Sequence, residues 1–247
     1  FADTKPWLKM ISGLAILLFF LFYVGSGLIA GGKLFNAVFG LDYTVAVFSG
    51  VVLILFYTLF GGFLAVSWTD VFQGLLMLTA LIAVPVLVIG KAGGLGGFGD
   101  QVATVNPELL NIFTNAKGES LSILEIVSLL GWGLGYFGLP HVLARFKAIR
   151  SADEVGIATA IGVSWSFVGY LMAILVELCG TVYLADPLLD SERVFIELTG
   201  LIFHPVIAGL LLAAILAAIM STVDSQLLVC SATLAEDLYP MFVKQSL

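Results

Sequence analysis

The chain alternates long stretches free of Asp, Glu, Lys and Arg with short polar segments. Uncharged runs cover residues 10–32, 43–69, 71–90, 126–144, 155–176 and 198–223, and the segments 178–185 and 225–235 extend the last two. A bilayer core about 30 Å thick needs about 20 residues of helix to cross it. Each run meets that length. The pattern predicts six membrane-spanning helices, at about 8–32, 43–68, 70–90, 121–146, 155–185 and 204–236, in one transmembrane domain over 1–247. Outer-membrane strands would show short alternating segments, and these runs do not alternate. The first run is too long for a secretory signal and has no cleavage-like exit. The chain opens on Phe1 rather than Met, as expected of a chain that begins partway through a longer protein.

Composition agrees with an all-α membrane protein. Hydrophobic residues make up 60% of the chain, charged residues 11%, and mean hydropathy is +1.12. Soluble domains are about 45–50% apolar and about 25% charged. A core of this size cannot hide so much apolar surface, so membrane lipid is an expected partner. The net charge of −7, with ten basic residues, excludes a nucleic-acid surface. Cys179 and Cys230 lie inside apolar runs and imply no disulfide framework.

Basic residues in short loops set orientation. Arg145, Lys147 and Arg150 follow the fourth run, and Lys5 and Lys9 precede the first. The start, a turn at 67–70, the 145–154 loop and the C-terminus are therefore expected in the cytoplasm. Segments 33–42, 91–120 and 186–197, which hold Asp42, Asp100, Glu108, Glu119, Asp186, Asp190, Glu192 and Glu197, fall outside. The glycine-rich stretch 90–99 (GKAGGLGGFG) follows a span rather than a strand and lacks a Gly-Lys-Ser/Thr ending. It reads as a flexible loop, not a phosphate loop.

Two spans carry more than anchoring residues. In the fourth, Trp132, Tyr136 and Pro140 recur every four residues and stack along one side of a continuous helix, beside a strip of Gly131, Gly135 and Gly138. Pro140 frees a carbonyl near Tyr136. Ordinary helix packing and a ligand-facing wall explain this pattern equally well. In the sixth, Ala218, Ser221, Thr222 and Ser225 fall at i, i+3, i+4 and i+7 on one face. Three hydroxyls beside an accessible backbone make an oxygen-rich stripe suited to a hard cation. The same hydroxyls could instead satisfy their own helix carbonyls. Asp224 lies at the margin of the stripe, and an intramembrane acid is by default a functional hypothesis. Asp70, between two apolar runs, reads first as a helix cap and second as part of a cation path. Glu177 falls late in the fifth span. His204 before Pro205 and His141 after Pro140 read as boundary residues, and they offer no zinc or haem spacing.

Three stretches resemble the solute:sodium symporter family, and closely its sodium/proline branch: 60–70 (FGGFLAVSWTD), 131–146 (GWGLGYFGLPHVLARF) and 213–239 around MSTVDSQLLVC. Residues 17–23 (LLFFLFY) and 192–198 (ERVFIEL) are similar to it too. The resemblance runs nearly the whole chain. It implies a LeuT-like fold of two inverted five-helix repeats, of which this chain corresponds to core helices three to eight. It implies uptake of proline or a similar small solute, with Na+ as coupling ion and no organic cofactor. By motif position, the carbonyl of Ala218 with Ser221 and Thr222 match sodium ligands. Asp70 matches an acid on the sodium path, and with Ser221, Asp224 and Ser225 it could form a further cation site. Trp132, Tyr136 and Pro140 match a proline-site face, and Tyr23 a substrate-side tyrosine. The resemblance also makes the absent N-terminal core helices an expected partner, since the first of them should complete both sites. Position 224 varies in the branch. Position 139 is Leu, where a polar side chain would stand beside the substrate.

Two rival functions remain from the residues themselves. An intramembrane enzyme could use Asp70 with Asp224, or Ser221 with His141, but no G-x-S-x-G or H-E-x-x-H context supports catalysis. A membrane sensor or scaffold that holds a solute without moving it is the other.

Overall fold

The computed structural model describes residues 6–184 and 188–242; Lys5, Asp186 and the predicted helix end at 185 lie outside them. The described residues are almost entirely helical, in the order α1 (Pro6–Phe39), α2 (Tyr43–Lys91), α3 (Gly94–Val105), α4 (Ile123–Leu134), α5 (Pro140–Lys147), α6 (Val155–Tyr183), α7 (Val194–Ile202), α8 (Pro205–Ala232) and α9 (Tyr239–Phe242). Short 3-10 turns precede α5, α6 and α7, and a π-helical turn, Thr233–Leu238, joins α8 to α9. Among the described residues, five helical segments are long and apolar enough to cross a membrane: Pro6–Phe39, Tyr43–Phe60, Gly62–Lys91, Ala152–Tyr183 and Pro205–Met241.

Local chemistry sets the ends. Gly40, at φ 64, follows α1 in the left-handed conformation that closes a helix, and its N–H donates to the carbonyl of Asn36. The Asn36 side chain donates to the carbonyl of Leu41 at 2.7 Å. Asp42 then accepts from the N–H groups of Thr44 and Val45, capping α2. Ser122 and Glu125 form a reciprocal capping box at the start of α4. His204 stands before Pro205, and its Nδ1 accepts from the N–H of Val206 at the start of α8.

Four sequence expectations change. The break between the second and third predicted spans lies at Gly62 (φ 59, ψ −172), not at 67–70. Ser67 and Thr69 donate to carbonyls one turn back, so they sit inside the helix rather than starting one. Asp70 is therefore an interior residue of Gly62–Lys91, and its capping role falls. Second, the predicted helix 121–146 is interrupted: α4 stops at Leu134, Gly135–Gly138 forms a 3-10 turn, and Leu139 is extended before Pro140 opens α5. A residue before proline avoids helical backbone, and the glycines ahead of it weaken the helix. Third, the glycine-rich stretch is helical from Gly94 onward. Only Gly93 and Gly94 take positive φ, and α3 buries Phe98 and Val102. Fourth, α7 is a separate short helix ahead of the last span.

The chain divides into two units, Phe1–Leu75 with Ala214–Leu247, and Leu76–Ala213. In the first, α1 packs antiparallel to α8. A Cβ on Gly13 would meet Leu238 at 3.0 Å, and one on Gly27 would meet Val223 at 3.0 Å. Small residues thus admit the partner helix along both ends of the contact. Ile54, Ile219 and Val223 form the buried centre, with Val24, Leu28, Ile215, Met220 and Leu227 around it. Lys9 pairs with Asp237 at 3.0 Å and donates to the carbonyl of Glu236, fixing the start of α1 to the π turn. In the second unit, each of four helices supplies one close-spaced pair: Val84 and Val88, Phe98 and Val102, Val176 and Cys179, Val194 and Leu198. Around both centres, Phe19, Phe22, Leu59, Phe72, Leu130 and Phe167 stand exposed. Apolar surface on this scale marks lipid or further protein as its cover.

Candidate functional site

Helix α8 has two unlike sides. At about 100° per residue, Ile219, Met220, Val223 and Leu227 occupy one, which packs in the core of the first unit. Asp224, Ser221, Ser225, Ala218, Thr222 and Gln226 follow one another around the other. Both reach into buried space: Asp224 and Gln226 are 0% exposed and Ser225 is 5% exposed.

The hydroxyls do bond their own helix. Ser221 Oγ and Thr222 Oγ1 each donate to the carbonyl oxygen of Ala218 at 3.1 Å. Ser225 Oγ donates to the carbonyl of Ser221 at 2.7 Å and lies 3.3 Å from Asp224 Oδ1. This back-bonding does not close the site to a cation. Each hydroxyl has one proton and two lone pairs, and the proton is committed to the carbonyl. The result is two hydroxyl oxygens held at the carbonyl of Ala218 by their own protons, with their remaining lone pairs left only to accept. Such neutral oxygens suit a hard monovalent ion, and Asp224 and Ser225 lie one turn further along the helix. Asp70, half-buried on α2, belongs to the same unit.

The substrate-side candidates divide. Tyr23 stands exposed on α1 in the first unit, and its carbonyl accepts from Ser26 Oγ at 2.8 Å. Tyr136 and Pro140 belong to the second unit. The side chain of Trp132 lies outside the described residues. The expected stack of Trp132, Tyr136 and Pro140 along one helix does not form, because the three sit on α4, on the 3-10 turn and on α5. The carbonyl of Tyr136 is served by the N–H of Leu139 at 3.4 Å, three residues on instead of four. That bond replaces the one Pro140 cannot make.

Two polar residues escaped the sequence reading. Tyr170 on α6 brings its hydroxyl to 2.9 Å from that of Tyr136, across 34 positions of sequence. Nothing in the uncharged run around it marks Tyr170 out. Gln226 carried a signal, since it lies one turn beyond Thr222, but it stands just past the hydroxyl pattern that ends at Ser225.

A sequence model of the sodium:solute symporter family matches residues 1–247. The high-affinity proline transporter PutP of Bacillus subtilis (strain 168) is 47% identical over 249 residues, which cover 100% of this chain and 52% of the relative. The sodium/proline symporter of Staphylococcus aureus is 48% identical over 242 residues, covering 97% of this chain and 46% of the relative. The chain thus spans about half the length of the curated relatives it matches. No solved structure matches it. With helices of membrane-spanning length and a family match over every residue, this chain belongs to the sodium:solute symporter family.

Proposed function

We propose that the chain forms part of a secondary transporter that takes up proline, or a closely similar small solute, with Na+ moving down its gradient. The observation that carries this reading is the gathering of Ser221 Oγ and Thr222 Oγ1, each with lone pairs to offer, at Ala218 O on α8, in a chain about half-identical to transporters named for proline. Na+ takes these three oxygens, with Asp70, Asp224 and Ser225 available to a second ion or an exit path. Tyr23 serves as a solute-side residue of the first unit, and Trp132, Tyr136 and Pro140 as solute-side residues of the second. The full transporter has the LeuT-like arrangement of two inverted repeats, in which this chain supplies core helices three to eight. Upstream helices supply the interrupted segment that completes both sites. The 145–154 loop and the C-terminus face the cytoplasm, in keeping with Arg145, Lys147 and Arg150.

Coupling follows from differential binding. An ion that held all conformations equally would move no equilibrium, so Na+ must favour the state in which α8 is ordered against its partners. The coupling is reciprocal: bound solute tightens Na+ as Na+ tightens solute. The test is uptake of labelled proline into vesicles holding the full-length transporter, with and without an inward sodium gradient. Uptake that follows the gradient supports the proposal. Proline uptake indifferent to sodium, or none at all, defeats it.

A further inference from the structure

Gln226 is wholly buried on a membrane-length helix, and neither its Oε1 nor its Nε2 has a hydrogen-bond partner among the described residues. A buried amide without partners opposes folding, so native structures supply them. Gln226 lies one helical turn beyond Thr222, and helical side chains lean toward the N-terminus. A glutamine at 226 therefore covers the turn that carries Thr222 and Ala218. It also borders the apolar contact with α1, whose Val24 and Leu28 pack against Ile219 and Val223, which keeps bulk water from that flank.

We infer that Gln226 is a direct ligand of the transported cation. Its Oε1 adds a fourth neutral oxygen to Ala218 O, Ser221 Oγ and Thr222 Oγ1, and its NH2 group donates to water that travels with the ion. The inference rests on the reading of those three oxygens as the sodium site. It assigns the residue a role that the hydroxyl pattern alone does not reach. Its position toward the C-terminal end of α8 makes it the ligand met last by an ion leaving along that end of the helix. The same length of side chain without an oxygen should weaken the ion and spare the solute.

The test uses the full-length transporter in proteoliposomes, titrated with NaCl against choline chloride. Gln226→Met keeps length and burial but removes the amide. It should raise the half-saturating sodium concentration by about tenfold, leaving the proline KM at saturating sodium within about twofold. Sodium-induced thermal stabilisation should shrink in parallel, because that stabilisation depends on ion concentration relative to Kd. Gln226→Asn, which keeps the amide on a shorter arm, should shift sodium dependence by a smaller factor in the same direction, and it decides the matter if the Met variant fails to insert. Unchanged sodium dependence in a folded variant overturns the inference. So does a melting temperature lowered equally with and without sodium, since that marks a protein partner for the amide. Ser221→Ala run alongside separates the two failures. If Ser221→Ala shifts sodium dependence and Gln226→Met does not, only the role of Gln226 falls. If Ser221→Ala is also silent, the sodium site on α8 falls with it.

Discussion

The hydroxyl oxygens of Tyr136 and Tyr170 lie 2.9 Å apart, tying the 3-10 turn before α5 to the middle of α6. Glycine-rich backbone on one side of Tyr136 and extended Leu139 on the other leave its ring little local support. The Tyr170 hydroxyl supplies a fixed point for it.

Tyr170→Phe removes that point without changing ring size. A net hydrogen bond is worth about 0.5–1.5 kcal/mol, which corresponds to an effect on binding of about twofold to about twelvefold. The proline KM should rise by that factor while half-saturating sodium stays fixed. Uptake kinetics over both concentrations give the answer. A change in sodium dependence alone would place Tyr170 elsewhere in the cycle.

Ser221→Ala and Thr222→Ala each delete an oxygen beside Ala218 O. Each should raise the sodium concentration for half-maximal uptake by about tenfold, the scale expected when one good ligand is lost. Linkage adds a second observable. In the wild-type transporter, saturating proline should tighten sodium by the same factor that saturating sodium tightens proline. Sodium dependence unaltered in both mutants would remove the assignment.

Lys9 and Asp237 meet at 3.0 Å with about a quarter of each side chain exposed, so water screens the pair. Their coupling should be about 1 kcal/mol or less. Lys9→Glu alone should lower the melting temperature more than Asp237→Ala, because it sets like charges together. The double reversal, Lys9→Glu with Asp237→Lys, should recover most of the loss in a thermal double-mutant cycle. Recovery should fade in high salt.

Gly180 lies where α6 meets α7, and a Cβ built on it would strike Cγ2 of Val194. Backbone conformation does not require glycine there; space does. Gly180→Ala should destabilise the protein by about 1–3 kcal/mol through overpacking. Val194→Ala in the same chain should relieve part of that cost. Thermal or denaturant unfolding of the two single variants and the double measures the relief. Strictly additive losses would mean that the two residues do not share the space.

Much of the outline could be read from the chain because a bilayer imposes a simple rule. Runs such as 10–32 and 155–176 have no charge and must satisfy their backbone internally, which only a helix does within a single segment. The stripe of Ala218, Ser221, Thr222 and Ser225 is likewise a matter of spacing on one helix, and the family motifs lie in contiguous residues. Composition therefore determined that this is a membrane protein of helices, and local periodicity determined which residues of α8 share a face.

Other features depend on partners distant in sequence or on small conformational differences. Hydropathy sees no break at Gly62, where one glycine takes a backbone other residues resist, while Asp70 looks like a boundary and is not. The run through Gly131 to Pro140 is apolar enough for a span, yet its glycines and proline divide it into helix, 3-10 turn and helix. Tyr170 acquires meaning only beside Tyr136, and Lys9 only beside Asp237. Gln226 looks like any polar residue near a helix end until packing removes it from water. Sequence by itself determined the solvent, the helical class and which residues share one face of α8. Tertiary structure alone decided which polar groups meet and which are buried, because those outcomes arise from contacts between segments rather than from the pattern within one.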